Sequence, residues 1–270
     1  MITRTAFAAV PHETTFEAGL QAWRRNLGTV RDEVRQELVS RQLHAHLPGR
    51  SLRALDIGCG QGTQALRLAR LGHSVLGIDT SDELLEDARR AAAAEPPDVR
   101  ERVSFERADV LTLPRRHAGS FDLACCHGVV MYLPALADAI AAVVATARRG
   151  GLISVLTRNR ASLAMRAGMS ADWQAALEAF DARSYTNRLG IDDVRADDPA
   201  EVRAALADAG APTIAWYGVR LFCDHWPDEP APADADVLVD AEEQAGRRDP
   251  YRAVAALTHT IARAGEGAAR

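Results

Sequence analysis

The sequence predicts an α/β protein built on a doubly wound, mostly parallel sheet. Three observations carry this. Short apolar runs alternate with helical patterns from Leu52 to Leu156, as in strands joined by crossover helices. A glycine-rich turn, Gly58-Cys59-Gly60-Gln61-Gly62, follows the first run and opens the first of those helices. Asp79 ends the second run, 21 residues after Gly58, where such folds place an acid against a nucleotide ribose.

The elements follow in order. From Thr14 to Leu47, Phe16, Leu20, Trp23, Leu27, Val30, Val34 and Leu38 recur at three- and four-residue steps, one face of a helix. Gly28 predicts a break within it, and Pro48-Gly49 its end. Strands are expected at Leu52–Ile57, Ser74–Ile78, Val103–Phe105, Phe121–Cys126 and Gly151–Leu156. Helices are expected at Thr63–Leu71, from Ser81 as N-cap, and at Leu136–Ala147. Beyond Thr157 the alternation stops. Ala161–Phe180 reads as one helix and Asp198–Ala209 as another, with Gly210 at its end. Thr213–Phe222 and Leu257–Ala262 read as two late strands that need not be parallel. This gives an N-terminal helical lid over 1–50 and one domain over 51–270, with a helical insertion around 158–195.

Composition bounds the function. The chain has 270 residues, 47% hydrophobic and 26% charged, which excludes wholesale disorder. No apolar run nears the ~20 residues of a membrane helix. Met1–Val10 carries only Arg4 and no sustained apolar core, so a secretory leader is not expected and the reading is cytoplasmic. All 32 basic residues are arginine, excluding Schiff-base chemistry and a phosphate-loop lysine. The four cysteines, Cys59, Cys125, Cys126 and Cys223, form no CxxC pair. Buried free thiols are expected, with no metal site. From Ile191 to Glu243 there are 14 acids and 3 arginines, against a net charge of -5 overall. The remainder is therefore net positive, and the acidic tract argues against a protein wrapped in nucleic acid.

The glycine spacing discriminates further. A dinucleotide fold wants GxGxxG, whereas Gly58, Gly60 and Gly62 give GxGxG. This loop, with Asp79, resembles the nucleoside loop of class I S-adenosylmethionine-dependent methyltransferases. The resemblance implies their Rossmann-like, seven-stranded sheet and S-adenosylmethionine as cofactor. It implies that Ala108 and Asp109 read adenine, and that His127 stands near the sulfonium after the fourth strand. Cys59 sits within the loop. Asp56 either touches cofactor or only satisfies loop amides; His127 has the comparable alternative of a bond to a backbone carbonyl.

A narrower resemblance runs from about Phe16 to Arg263. Trp23-Arg24-Arg25-Asn26-Leu27 with Val30-Arg31, Cys126-His127-Gly128-Val129-Val130, Asn159, Gly218-Val219-Arg220-Leu221-Phe222 with Asp224, and Asp249-Pro250-Tyr251 with His259 and Arg263 resemble the tRNA 5-carboxymethoxyuridine carboxyl methyltransferases. It implies that Arg31 reaches the cofactor's carboxylate. The family carries a lysine-rich run in its insertion. Here Phe180–Arg188 holds two arginines and one acid, whereas RNA affinity needs several phosphate contacts. The acceptor is thus open between a tRNA and an anionic small molecule of specialised metabolism.

A carboxylate acceptor is ionised at neutral pH and needs positioners more than a base. Arg158, Asn159, Arg160 and Arg220 are the candidates, because a guanidinium fork matches a carboxylate; ordinary structural pairing is their alternative. A phenol or amine acceptor would make His127 the base. Tyr132 lines the acceptor pocket or belongs to the core. A non-catalytic S-adenosylmethionine-binding module is the rival of another class.

Overall fold

The structure, a computed structural model, describes residues 19–265. Thr14 and Phe16 of the expected N-terminal helix, and the expected leader-free Met1–Val10, lie outside them. The described chain begins with α1 (Leu20–Asn26) and α2 (Val30–His44). The break falls at Gly28, whose φ of 74° suits glycine. The Thr29 side chain then caps α2 by accepting from the Asp32 amide.

The alternating body follows: β1 (Arg53–Ile57), α3 (Thr63–Arg70), β2 (Ser74–Asp79), α4 (Asp82–Ala93), β3 (Val103–Arg107), β4 (Phe121–His127), α5 (Leu136–Thr146) and β5 (Ala147–Arg158). Ser81 caps α4 as expected. The insertion contributes α6 (Leu163–Met169), α7 (Trp173–Ala179) and a two-stranded ribbon of β6 (Ser184–Tyr185) and β7 (Val194–Arg195). The chain closes with α8 (Pro199–Asp208), β8 (Thr213–Val219), α9 (Ala235–Gly246) and β9 (Leu257–Arg263). Asp198 and Glu201 form a reciprocal capping box at the start of α8.

Seven strands make one sheet in the order β3-β2-β1-β4-β5-β9-β8. β1 to β5 are mutually parallel. β9 runs antiparallel between β5 and β8. Chain order reverses between β1 and β4, so a ligand crevice opens at the carboxyl ends of these strands. Cys125 and Cys126 fall into separate clusters on the two faces of β4, as strand alternation requires. All four cysteines are buried and free.

Three expectations need correction. Ala161–Phe180 is not one helix: it breaks between α6 and α7, where Ala171 takes φ of 59°. The first late strand ends at Val219 rather than Phe222, because Arg220 turns into the left-handed region at φ of 61°. Finally, α2 is no detachable cover. Val30, Val34, Leu38 and Val39 bury against Leu156, Val219 and Leu257, so this part of the expected lid is core. α1 lies against the crevice, held by Trp23 Nε1 donating to Gln61 Oε1 at 3.0 Å and by Arg24 pairing with Glu83 and Asp87 on α4.

Candidate active site

The crevice is a cavity of about 320 Å³ at the switch point. One end is built by the glycine turn. Gly58, Gly60 and Gly62 all have positive φ, and a Cβ on Gly58 would lie 2.2 Å from Val129 Cγ2. Backbone alone therefore fits there, leaving the turn open to a ligand. Asp79 faces it, accepting from the Gly60 amide at 2.9 Å and the Ser81 amide at 3.0 Å. Burial pushes its carboxyl up, and these amide bonds oppose the rise. Cys59, Ala108 and Asp109 line the same end; the Ala108 amide bonds the Asp79 carbonyl at 3.1 Å and Asp109 caps the Leu111 amide. An apolar wall, an acid and a backbone cradle suit a nucleoside without phosphate.

Asp56 sits beneath the turn, 2% exposed. Its carboxyl is pushed up to about 7 by burial, with the Asp79 charge adding; a bond from the Ala65 amide and the Arg35 charge oppose this. Its Oδ2 has no hydrogen-bond partner among the described residues, although Asp56 lines the cavity. His127 lines the cavity at the end of β4. Its Nε2 lies 2.7 Å from Ser154 Oγ, and burial, then His259 and Arg35, press its pKa well below the usual imidazole range. The ring is neutral at physiological pH.

The other end is cationic. Arg31, Arg158, Arg166, Arg188 and Arg220 converge there with Asp224. Arg220 lies 3.1 Å and Arg158 3.4 Å from the Asp224 carboxylate. Burial alone would raise Asp224, but Arg220, Arg158 and Arg166 outweigh it and hold the carboxyl at about 2. Arg31, 4% exposed, pairs with Asp228. Burial, Arg188 and Arg220 lower its pKa to about 9, so it stays charged at neutral pH. Five guanidiniums thus share two carboxylates. The Nε atoms of Arg31, Arg158 and Arg220 are buried without a partner among the described residues. A buried charged donor left unpaired is costly. Tyr132 lines it, its hydroxyl accepting from Asn187 Nδ2 at 2.9 Å, as does Tyr185, stacked 5.0 Å from the Arg158 guanidinium.

Two expected acceptor residues do not reach the cavity. Asn159 is fully buried; its Nδ2 donates to the Ala253 and Ala255 carbonyls, and its Oδ1 accepts from the Ala161 amide. Every polar atom is spent on backbone. Arg160 points to the insertion, donating to the Ala182 carbonyl and pairing with Asp198 at 3.0 Å. Sequence reasoning missed Arg35, Arg166, Arg188 and Tyr185. Arg166 had a signal: it stands alone among apolar and small residues, Leu163-Ala164-Met165-Arg166-Ala167-Gly168, and a half-buried arginine demands a partner.

A sequence model for a methyltransferase domain matches residues 54–151, the stretch that carries the glycine turn, Asp79 and His127. The chain carries a methyltransferase domain, has the class I methyltransferase fold and is an S-adenosylmethionine-dependent methyltransferase. The enzyme is 25% identical to the tRNA 5-carboxymethoxyuridine methyltransferase of Escherichia coli K12 over 256 residues, 93% of this chain and 96% of that protein. A ubiquinone biosynthesis O-methyltransferase of Burkholderia multivorans is 34% identical over 117 residues, 43% of this chain and 48% of that protein. In fold, the enzyme is similar to magnesium protoporphyrin IX methyltransferase of Synechocystis PCC 6803, solved with bound SAH. The TM-score is 0.62 at 16% identity, covering 93% of this chain and 97% of that one. Among the described residues no helix is long and apolar enough to cross a membrane, and no three His, Cys, Asp or Glu side chains are grouped to hold a metal ion.

Proposed function

We propose that this enzyme methylates the carboxylate of an anionic acceptor held at the arginine end of the cavity. The carrying observation is the pair of buried, unpartnered Nε donors on Arg158 and Arg220, both on residues that line the cavity. S-adenosylmethionine supplies an activated methyl group on a sulfonium. The Gly58–Gly60 backbone with Cys59 receives its nucleoside, Asp79 its ribose hydroxyls, and Ala108 and Asp109 its adenine. Asp56, Arg31 and His127 serve its amino-acid end. Arg158 and Arg220, already fixed by Asp224, orient the acceptor carboxylate, and Tyr132 and Tyr185 wall it. A carboxylate brings its own lone pair, so no base is required of His127.

The E. coli relative acts on a modified tRNA uridine, and such a carboxylate fits this end. One observation favours a free small acid instead. Arg158 at the end of β5 and Arg166 and Arg188 of the insertion line the cavity, while the insertion exposes Met169, Trp173, Leu177 and Phe180. The insertion's other arginines, Arg160, Arg183 and Arg195, are each paired with an acid, which weakens them as phosphate contacts. Incubation with methyl-labelled S-adenosylmethionine and cell extract, with and without ribonuclease, decides. Label that mild base releases as methanol, in a ribonuclease-resistant small-molecule fraction, is expected. Base-stable label would refute a carboxyl ester, and label lost with ribonuclease would move the acceptor to RNA.

The cofactor end has its own test. Asp79→Ala is expected to weaken S-adenosylmethionine binding at least tenfold, since lost charge-assisted hydrogen bonds cost about 1.5–3 kcal/mol. Calorimetry giving wild-type affinity would remove Asp79 from the site.

A further inference from the structure

Four buried or half-buried side chains form one continuous hydrogen-bonded line behind the cavity. Gln42 on α2 donates from Nε2 to the Gly218 carbonyl at 3.3 Å. Its Oε1 lies 2.8 Å from His259 Nδ1. His259 Nε2 lies 2.8 Å from Ser154 Oγ, and Ser154 Oγ lies 2.7 Å from His127 Nε2. Gln42, Ser154 and His259 are fully buried, so water does not offer alternative partners. The two imidazoles stand edge to face at 5.5 Å.

The direction of this line is fixed from one end. A carbonyl only accepts, so the Gln42 amide must turn its NH₂ to Gly218 and its oxygen to His259. His259 therefore carries its proton on Nδ1. Burial presses its pKa down to about 3, so the ring is neutral and its Nε2 is a lone pair. The Ser154 hydroxyl spends its single proton on that lone pair. Its oxygen must then accept from His127, which places the His127 proton on Nε2. In a neutral ring Nδ1 is left as a lone pair, and no side chain or backbone bond to it is found among the described residues.

We propose that Gln42, His259 and Ser154 are positioning residues that hold His127 in its Nε2–H tautomer and present Nδ1 to the cavity as a hydrogen-bond acceptor. The consequence is chemical. His127 receives an N–H or O–H from a ligand and offers no donor to a carboxylate, so an anionic acceptor gains no bond from His127. The inference stands on the line itself and does not depend on which acceptor is methylated.

Long-range proton–nitrogen correlation spectra of the full-length enzyme labelled with ¹⁵N-histidine read both tautomers; His127→Gln and His259→Gln samples assign them. The wild type is expected to show His127 protonated at Nε2 and His259 at Nδ1. A His127 proton on Nδ1 would overturn the proposal; the tautomers are read in the wild type, and the variants serve only to assign its signals. Ser154→Ala cuts the line. The His127 nitrogens are then expected to average between tautomers while His259 keeps Nδ1–H, and S-adenosylmethionine affinity or turnover to fall about twofold, as when half the molecules are competent. Ser154→Thr, which keeps the hydroxyl, is expected to retain the wild-type spectrum. An unchanged His127 spectrum in Ser154→Ala would show that the line does not select the tautomer.

Discussion

Arg220→Lys is expected to lower kcat/KM for the acceptor by about ten- to a hundredfold while leaving S-adenosylmethionine affinity within about twofold of wild type. Arg220 reaches Asp224 through one terminal nitrogen at 3.1 Å and leaves Nε buried and unpaired. The guanidinium thus pairs with the internal acid while Arg220 lines the cavity. Lysine carries the same charge at a single point. It can keep Asp224 company or reach a substrate anion, but not both in the same pose. The loss corresponds to about 1.5–3 kcal/mol for a charge-assisted bond. Because the charge is kept, Asp224 is not orphaned, and the effect should appear in kinetics with little change in melting temperature. Steady-state rates with the acceptor varied, beside calorimetry of the cofactor, separate the two ends. An unchanged kcat/KM would take Arg220 out of acceptor binding.

Much of the scaffold around this site was readable because buried parallel strands are continuous apolar runs bounded by turn residues. β1, β2, β4 and β5 all declare themselves that way, and the glycine turn with Asp79 places the cofactor end without further help. The acceptor end was less readable for physical reasons. Arg220 looked like a strand residue because Gly218-Val219-Arg220-Leu221-Phe222 has strand composition. Nothing in it announces the left-handed turn that Glu242 stabilises by accepting from the Leu221, Phe222 and Cys223 amides. Glu242 itself lay in the acidic tract, where charge suggested a solvated face; it is 1% exposed. α9, which carries it, passed unnoticed for the same reason. Asn159 stands between two arginines at the mouth of the sheet, the place for a ligand contact, yet short amide side chains also cap turns. Arg166 and Arg188 come to the cavity from an insertion whose path depends on tertiary packing, which no local periodicity encodes.

Asp56→Asn is expected to stabilise the free enzyme while weakening its hold on S-adenosylmethionine. The Asp56 carboxyl rises from 3.8 to about 7, with burial as the largest cause. A group with a raised folded pKa contributes its stability fully below its unfolded value and loses it as pH climbs through the folded one. The protonated acid is therefore comfortable at pH 4. Between pH 4 and 7 the enzyme loses about 1.4 kcal/mol per pH unit through this side chain. Above pH 7 it carries the whole cost of a buried carboxylate, about 4 kcal/mol at roughly 3 pKa units. Asparagine keeps the shape and an oxygen for the Ala65 amide, and it never ionises. The difference between variant and wild type should be near zero at pH 4 and should grow to several kcal/mol in favour of the variant at pH 8. Other titrating groups, His127 and His259 among them, are common to both proteins and largely cancel in that difference. Denaturant unfolding across this range reads it directly. Such a cost is tolerated at a site that needs the charge. Asp56 lines the end of the cavity assigned to a cationic cofactor and its buried Oδ2 has no partner among the described residues, so calorimetry at pH 8 is expected to show about tenfold weaker S-adenosylmethionine binding by Asp56→Asn. A variant that gains the stability but binds the cofactor as tightly as wild type would reduce Asp56 to a holder of loop amides. One that gains no stability at pH 8 would show that the carboxylate is already compensated in the free protein.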